Sequence, residues 1–347
     1  MKICFFGIYD PQYPRNEILL AGLARIGVEV IECRADWRDP KRYRTLATKL
    51  RALQNNYDYV YAAHPSSVPA ILARFVSRKP VIADAFYSMF DTVVHDRREI
   101  SWWHPRAIKL LVLDWLGIIV AHAVTTDTDA HARYWSTWWG IRREKIYALY
   151  LGVNDSQFHP LPPRPTGHFL VHFHGTYIPV QGVEKIIEAA RLCASESRIQ
   201  FRLIGTGQDL PKTRALAARY KLTNVEFIEA RVGGVKLNDY MAEADMVLGI
   251  FGDSAKARRA IPNKVYEGLA AKKAVMTMDS PAVREIFSGE DMLLVGNNPR
   301  AMADGILFLA QDEKMRADSA RHGYDTVRNY FPAPVATSLI TILSRLT

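Results

Sequence analysis

The chain has 347 residues, 49% of them hydrophobic and 23% charged, which is too long for one ordinary domain and excludes a disordered or fibrous polypeptide. The net charge of +9 is shared by both halves rather than massed in one aromatic-laced stretch, which argues against a nucleic-acid binder. The cysteines, Cys4, Cys33 and Cys193, show neither metal spacing nor a disulfide framework, and a reducing cytoplasm is the simplest setting.

Met1 to Gly7 is already a buried-strand pattern, so no signal peptide is expected. Short apolar runs then alternate with helical periodicity. Strands are predicted over 2–8, 28–33, 57–62, 80–85 and 123–126, and helices over 16–26, 42–54, 68–77, 108–121 and 129–139. Strands apolar on both faces and joined by helices predict a parallel, doubly wound sheet. The apolar run 110–124 is interrupted by Asp114, Trp115 and His122, and is too short and too polar to span a bilayer.

Pro160-Leu-Pro-Pro-Arg-Pro165 reads as a stiff linker. The alternation restarts beyond it, with strands at 169–174, 200–204, 225–228, 246–250, 274–278 and 293–295. Helices are predicted over 183–194, 211–220, 237–243, 263–271, 281–286, 300–311 and 313–330, and a last amphipathic helix over 335–346. The pattern divides the chain into an α/β domain over 1–160, a second over 161–330, and a terminal segment over 331–347. Ligands of open α/β sheets bind beyond the carboxyl ends of the strands, so two such domains are expected to face each other across a cleft.

The loops after strands therefore hold the candidate chemistry. In the second half, Gly175 and Thr176 follow the strand 169–174 and suit a close backbone approach to a diphosphate. Gly205 opens a tight turn after the strand 200–204, and Arg231 and Val232, past the strand 225–228, are placed to frame a nucleotide base. A basic loop with Lys256, Arg258 and Arg259 runs into Ile261-Pro-Asn-Lys-Val-Tyr-Glu-Gly-Leu-Ala270. There Pro262 suits a first helical turn and Asn263 an N-cap, while Lys264 and Glu267 share one face at i and i+3. Free N–H groups, a cation and a carboxylate thus meet at one helix opening, which suits a diphosphate and a ribose diol.

In the first half, Gly7 follows the first strand, and His64, Asp84 and Asp127 follow later ones. Asp84 is the strongest candidate for a carboxylate that orients an acceptor, against the plainer reading of a turn or cap residue. Trp102, Trp103, Trp115, Trp135, Trp138 and Trp139 crowd one region. Their helical spacing favours core over sugar stacking or a membrane interface. Arg34, Arg38, Lys41, Arg42, Arg44, Lys49 and Arg51 form a local basic excess. It suits an anionic membrane surface or acceptor, but reads more simply as a solvated helix face.

Taken in order, these loops resemble the family-4 retaining glycosyltransferases of the GT-B fold. The resemblance covers nearly the whole chain. Leu151-Gly-Val-Asn-Asp-Ser-Gln-Phe-His-Pro160 resembles that family's inter-domain signature, with Asn154 in place of the usual Asp. Val171–Gly175 with Gly182–Ala190 resembles its donor loop, and Pro262-Asn-Lys-Val-Tyr-Glu267 its nucleotide-sugar segment. There are departures. Arg259 stands where the family often has the first of two glutamates, Gln181 and Thr176 stand where it usually has basic residues, and Asp84 lies near the place of its first-domain histidine.

The resemblance implies two Rossmann-like domains, a C-terminal helix returning to the first, and retaining transfer from a UDP- or GDP-sugar donor to a glycan, lipid-linked or small-molecule acceptor. It implies catalytic roles for Asp84, Lys264 and Glu267. The donor would meet Gly7, Gly175, Thr176, Gly205, Arg231, Val232, Lys256, Arg259, Asn263, Lys264 and Glu267. No cofactor or metal is expected, and the expected place is the cytoplasm, at the inner membrane face if the basic excess is functional, in polysaccharide or cell-envelope synthesis. The alternatives are an epimerase-type GT-B enzyme and a non-catalytic nucleotide-sugar-binding protein.

Overall fold

The computed structural model describes residues 1–346. Its contacts divide the chain into two units, Met1–Asn154 with the segment from Tyr330 onward, and Asp155–Asn329.

The first unit runs β1 (Lys2–Gly7), α1 (Pro14–Arg25), β2 (Glu29–Arg34), α2 (Arg42–Ala52), β3 (Tyr59–Ala62), α3 (Ser67–Val76), β4 (Val81–Asp84), α4 (Pro105–Val120), β5 (Ala123–Thr126), α5 (Asp129–Trp139) and β6 (Ile146–Ala148). All strands pair in parallel in the order β2-β1-β3-β4-β5-β6, so the direction of winding reverses between β1 and β3. Cys4, Phe6, Val60 and Val81 point to one face and pack under Leu46 and Leu50 of α2 and Ala73 of α3.

The second unit runs β7 (Phe169–His174), α6 (Val183–Leu192), β8 (Ile199–Ile204), α7 (Leu210–Arg219), β9 (Val225–Ile228), α8 (Gly234–Glu243), β10 (Met246–Leu248), α9 (Asn263–Ala270), β11 (Ala274–Met278), β12 (Leu293–Val295), α10 (Pro299–Gln311) and α11 (Glu313–Val327). Its sheet is also parallel, ordered β12-β11-β10-β7-β8-β9, and its winding reverses between β7 and β10. The last helix, α12 (Pro332–Leu343), belongs to the first unit and lies on α1. Gly22 permits that approach, because a Cβ there would sit 2.0 Å from the Pro332 carbonyl oxygen.

Several elements differ from the sequence pattern. The boundary between units falls at Asn154, before the prolines, because the linker segment is tied to α8. Asn238 donates to the His159 carbonyl at 3.0 Å, and the Arg164 amide donates to Ala242 at 3.1 Å. The helix expected over 281–286 is only a three-residue 3-10 turn, Val283–Glu285; six residues are too few to nucleate a helix unaided. The edge strand β6 and a π-helical turn at Asp91–Asp96 were not anticipated.

The tryptophans correct the expectation of a core cluster. Trp135 is buried, but Trp102 and Trp103 are each 65% exposed, Trp138 is 79% exposed and Trp115 40%. For Trp115 the reason lies in α4, whose inward face is Ala107, Asp114, Gly117 and Ile118. A Cβ on Gly117 would lie 2.6 Å from the Ser67 Cα, and Asp114 accepts hydrogen bonds from Ser67, Ser88 and the Phe90 amide. Small and polar groups thus take the buried face, and the large apolar ones turn outward. No helix among the described residues is long and apolar enough to cross a membrane.

Candidate active site

The reversal between β7 and β10 opens a crevice at the carboxyl end of the second sheet, the place where doubly wound sheets take ligands. Three loops converge there backbone to backbone. The Gly175 amide donates to Ile204 at 3.0 Å, Tyr177 to Thr206 at 2.9 Å, and Phe251 to Gln181 at 3.0 Å. A Cβ on Gly205 would stand 1.9 Å from the Gly175 carbonyl oxygen, and one on Gly182 would stand 2.4 Å from the Phe251 carbonyl. Only glycine fits at either place.

Helix α9 opens beside this junction. Pro262, not Asn263, occupies the N-cap position, and Asn263 is the first helical residue with no capping hydrogen bond from its side chain. The proline's extended φ,ψ, −73° and 149°, is that of an N-cap, so the helix starts one residue earlier than a cap at Asn263 would place it. Lys264 is buried. Its ammonium donates to Gln181 Oε1 and lies 4.3 Å from the centroid of the Phe173 ring. It also lies directly under Gly175, where a Cβ would come within 2.9 Å of Nζ. Burial pushes the Lys264 pKa down to about 7, with Glu267 opposing the shift.

Glu267 faces a pair of histidines that the sequence reading passed over. Its Oε2 accepts from His174 Nε2 at 2.7 Å, and His174 Nδ1 lies 3.0 Å from His172 Nε2. The two histidines share one face of β7, at i and i+2, in a strand otherwise made of apolar residues. Two ring residues at that spacing, within a fully buried strand, were the available signal. Burial holds the His172 pKa well below the usual imidazole range. With both rings neutral, Nε2–H of each donates toward Glu267. His172 Nδ1 is then a bare acceptor, without a hydrogen-bond partner among the described residues.

The remaining candidates are spread more widely. Thr176 is exposed on the Gly175 loop, and Lys256 and Arg259 are half-buried on the loop that runs through the turn Ala257–Arg259 into α9. Arg231 is exposed and Val232 half-buried, just past the edge strand β9. Gly7 lies in the first unit at the end of β1, with φ +146°, where a Cβ would come within 3.5 Å of Pro69.

Asp84 requires a correction. Its carboxylate has no exposed surface and pairs in a bidentate manner with Arg15, which is also buried, at 3.1 and 3.0 Å. Thr125 donates to the same carboxylate at 3.1 Å, and Arg15 reaches on to the Leu149 carbonyl. Asp84 is thus a brace between α1 and the carboxyl ends of the strands, not an acceptor-orienting group. The sequence pattern did not reveal Arg15 as its partner, 69 positions away.

Residues 168–312 match the family model for Glycosyl transferases group 1. The whole chain has the fold of GT-B glycosyltransferase structures. It is similar to HepE (Alr3699) of Anabaena in complex with UDP-glucose, with a TM-score of 0.75 and 17% identity over 99% of this chain and 100% of that one. It is also similar to sucrose-phosphate synthase (tll1590) from Thermosynechococcus elongatus, with a TM-score of 0.71 and 14% identity over 100% and 99% of the two chains. A glycosyltransferase from Rickettsia africae gives 0.67 and 14%, over 99% and 98%. No curated protein matches the chain. The matched residues all lie in the second unit.

Proposed function

We propose that this chain is a retaining glycosyltransferase that moves a sugar from a nucleotide-diphosphate donor, with uridine the first base to test, to a hydroxyl of an acceptor. The observation that supports it best is the Lys264 ammonium, buried beneath Gly175 at the winding reversal of the second sheet. A buried cation next to a backbone stripped of side chains suits the dianionic diphosphate bridge of such a donor. The Anabaena HepE structures hold UDP and UDP-glucose, which supports uridine as the starting choice.

In this reading the diphosphate rests against the Gly175 loop and the opening turn of α9. The ribose diol takes the Glu267 oxygen that His174 leaves unengaged. As the bond from the anomeric carbon to the diphosphate breaks, Lys264 meets the charge that develops on the leaving oxygen. One well-aimed group of this kind lowers the barrier by about 2.7–4 kcal/mol. The acceptor oxygen bonds to the anomeric carbon on the face the diphosphate leaves, and its proton passes to a phosphate oxygen. Atoms and charge then balance without a protein base. The leaving charge is met by protein cations, so transfer is proposed to need no metal.

Thermal-shift titration with a panel of UDP- and GDP-sugars tests donor binding, and NMR of the product's anomeric centre tests stereochemistry. If no nucleotide diphosphate raises the melting temperature, the donor assignment is wrong. An inverted anomer would leave the donor site standing and remove the retaining mechanism.

A further inference from the structure

Helix α4 turns its large apolar side chains away from the first unit's interior, and that outer side is uncovered. Ile108, Leu111, Val112, Trp115 and Ile119 recur at helical spacing and are all exposed. The stripe runs roughly 17 Å along the helix at 1.5 Å per residue. Trp102 and Trp103 stand exposed just ahead of the helix, edge to face with ring centroids 5.7 Å apart. A monomeric surface seldom leaves a continuous apolar face of this kind uncovered.

Charge indicates what covers it. The one acid in α4, Asp114, is turned inward and fully hydrogen-bonded, so the outer face of the helix carries none. Arg106 and Lys109 are exposed near its start. At its end Lys145 donates to the Ile119 carbonyl at 2.6 Å, and Arg74, exposed on the neighbouring α3, lies close enough to Lys145 to act on its charge. The nearby Glu99 is paired with Arg97 at 3.4 Å. An apolar stripe with cations at both ends and a tryptophan pair at one of them matches the interface of an anionic bilayer, where aromatic rings sit at headgroup depth. At 16 residues the helix is shorter than the ~20 needed to cross the hydrocarbon, and its inner face is committed to α3.

We propose that the outer face of α4, with Trp102 and Trp103, seats the first unit on the surface of an anionic phospholipid bilayer, the helix lying in the plane of the interface. The inference does not depend on the donor or on the stereochemistry of transfer.

The test is vesicle flotation of the full chain with phosphatidylcholine vesicles and with the same vesicles containing phosphatidylglycerol. The wild type is expected to float with the anionic vesicles, and brominated lipids are expected to quench its tryptophan fluorescence. Trp102→Ser/Trp103→Ser/Trp115→Gln should lower the partition coefficient about tenfold or more. Arg106→Gln/Lys109→Gln should lower it about fivefold per cation on anionic vesicles only. Each variant is accepted on an unchanged melting temperature, and Leu111→Gln/Val112→Gln replaces the triple variant if that one fails to fold. Wild type that stays with the unbound fraction on anionic vesicles overturns the proposal, as does equal flotation of the folded variants. So does a wild-type dimer, seen by sedimentation, that these substitutions make monomeric without any vesicle binding, since the face would then be a protein interface.

Discussion

Glu267 is held by His174 at 2.7 Å, and His174 in turn by His172 at 3.0 Å, so the carboxylate that opens toward the crevice is anchored through two rings of one strand. His174 positions Glu267 rather than touching the reacting atoms. His174→Phe removes a buried hydrogen bond to a charged group, worth about 1.5–3 kcal/mol, and leaves the carboxylate free to rotate. The expected result is a tenfold or greater rise in the dissociation constant for the nucleotide, measured by calorimetry, with a smaller fall in kcat. His172→Phe, one step further from the carboxylate, should cost less. Equal affinity in wild type and His174→Phe would leave the anchoring role without support.

Lys264 makes the site sensitive to proton concentration. Its pKa is lowered to about 7 in the folded protein, against an ordinary lysine value near 10.5. Between these values the unfolded chain holds a proton that the folded chain lacks, so the cost of burying the ammonium is relieved as pH rises from about 7 to 10.5. The unliganded protein should therefore gain stability from this group over that window, by a few kcal/mol at most. Lys264→Met should remove the pH-dependent gain. Urea melts of both proteins across the window check it, and identical pH dependence would contradict the assignment.

The same lysine predicts proton uptake on binding. A diphosphate restores the charged form, so above pH 7 the nucleotide should bind together with a proton and its affinity should weaken as pH rises. Calorimetry in two buffers of different ionisation enthalpy measures the proton count directly. The expected value is close to one proton per nucleotide at pH 8–9, falling toward zero in Lys264→Met if that variant still binds (roughly one lysine's titration).

How much of this could be read in advance follows from the range of each interaction. The strands β5, β7 and β11 coincide with the apolar runs, because a strand buried on both faces announces itself in consecutive residues. Lys264 and Glu267 were legible because i and i+3 on one helix is a local relation. His174 with Glu267 spans 93 positions, and Arg15 with Asp84 spans 69; in neither pair does the local pattern of one residue point to the other. The outward turn of Trp115 was not legible for a related reason. Helical spacing reports that a face is apolar, but not whether Gly117 and Asp114 have already taken the buried side.

Arg15 and Asp84 should act on stability rather than on the donor. Both are buried, and removing one leaves the other charged without its partner, a cost of about 3–5 kcal/mol. Asp84→Ala and Arg15→Ala are each expected to lower the stability of the first unit by that order in urea melts. The apolar pair Arg15→Met/Asp84→Leu should recover much of the loss. Nucleotide affinity at the second unit should stay within twofold in the double variant, roughly the scatter of independent sites. A double variant as unstable as the singles would mean that the Leu149 and Thr125 contacts, not the charge pair, dominate.

The glycine junction gives the sharpest structural test. Gly205 has φ +144°, and a Cβ there would meet the Gly175 carbonyl oxygen at 1.9 Å, an overlap that only a backbone shift relieves. Because Gly175 covers the Lys264 ammonium, any such shift moves the loop proposed to carry the diphosphate. Gly205→Ala should therefore weaken nucleotide binding at least tenfold and destabilise the second unit by about 1–3 kcal/mol or more. Gly167 is the matched control. It has φ +82° with open space around it, so Gly167→Ala should cost about 1 kcal/mol and leave nucleotide affinity unchanged. If both variants bound nucleotide like the wild type, the close packing of the two loops would have no part in the donor site.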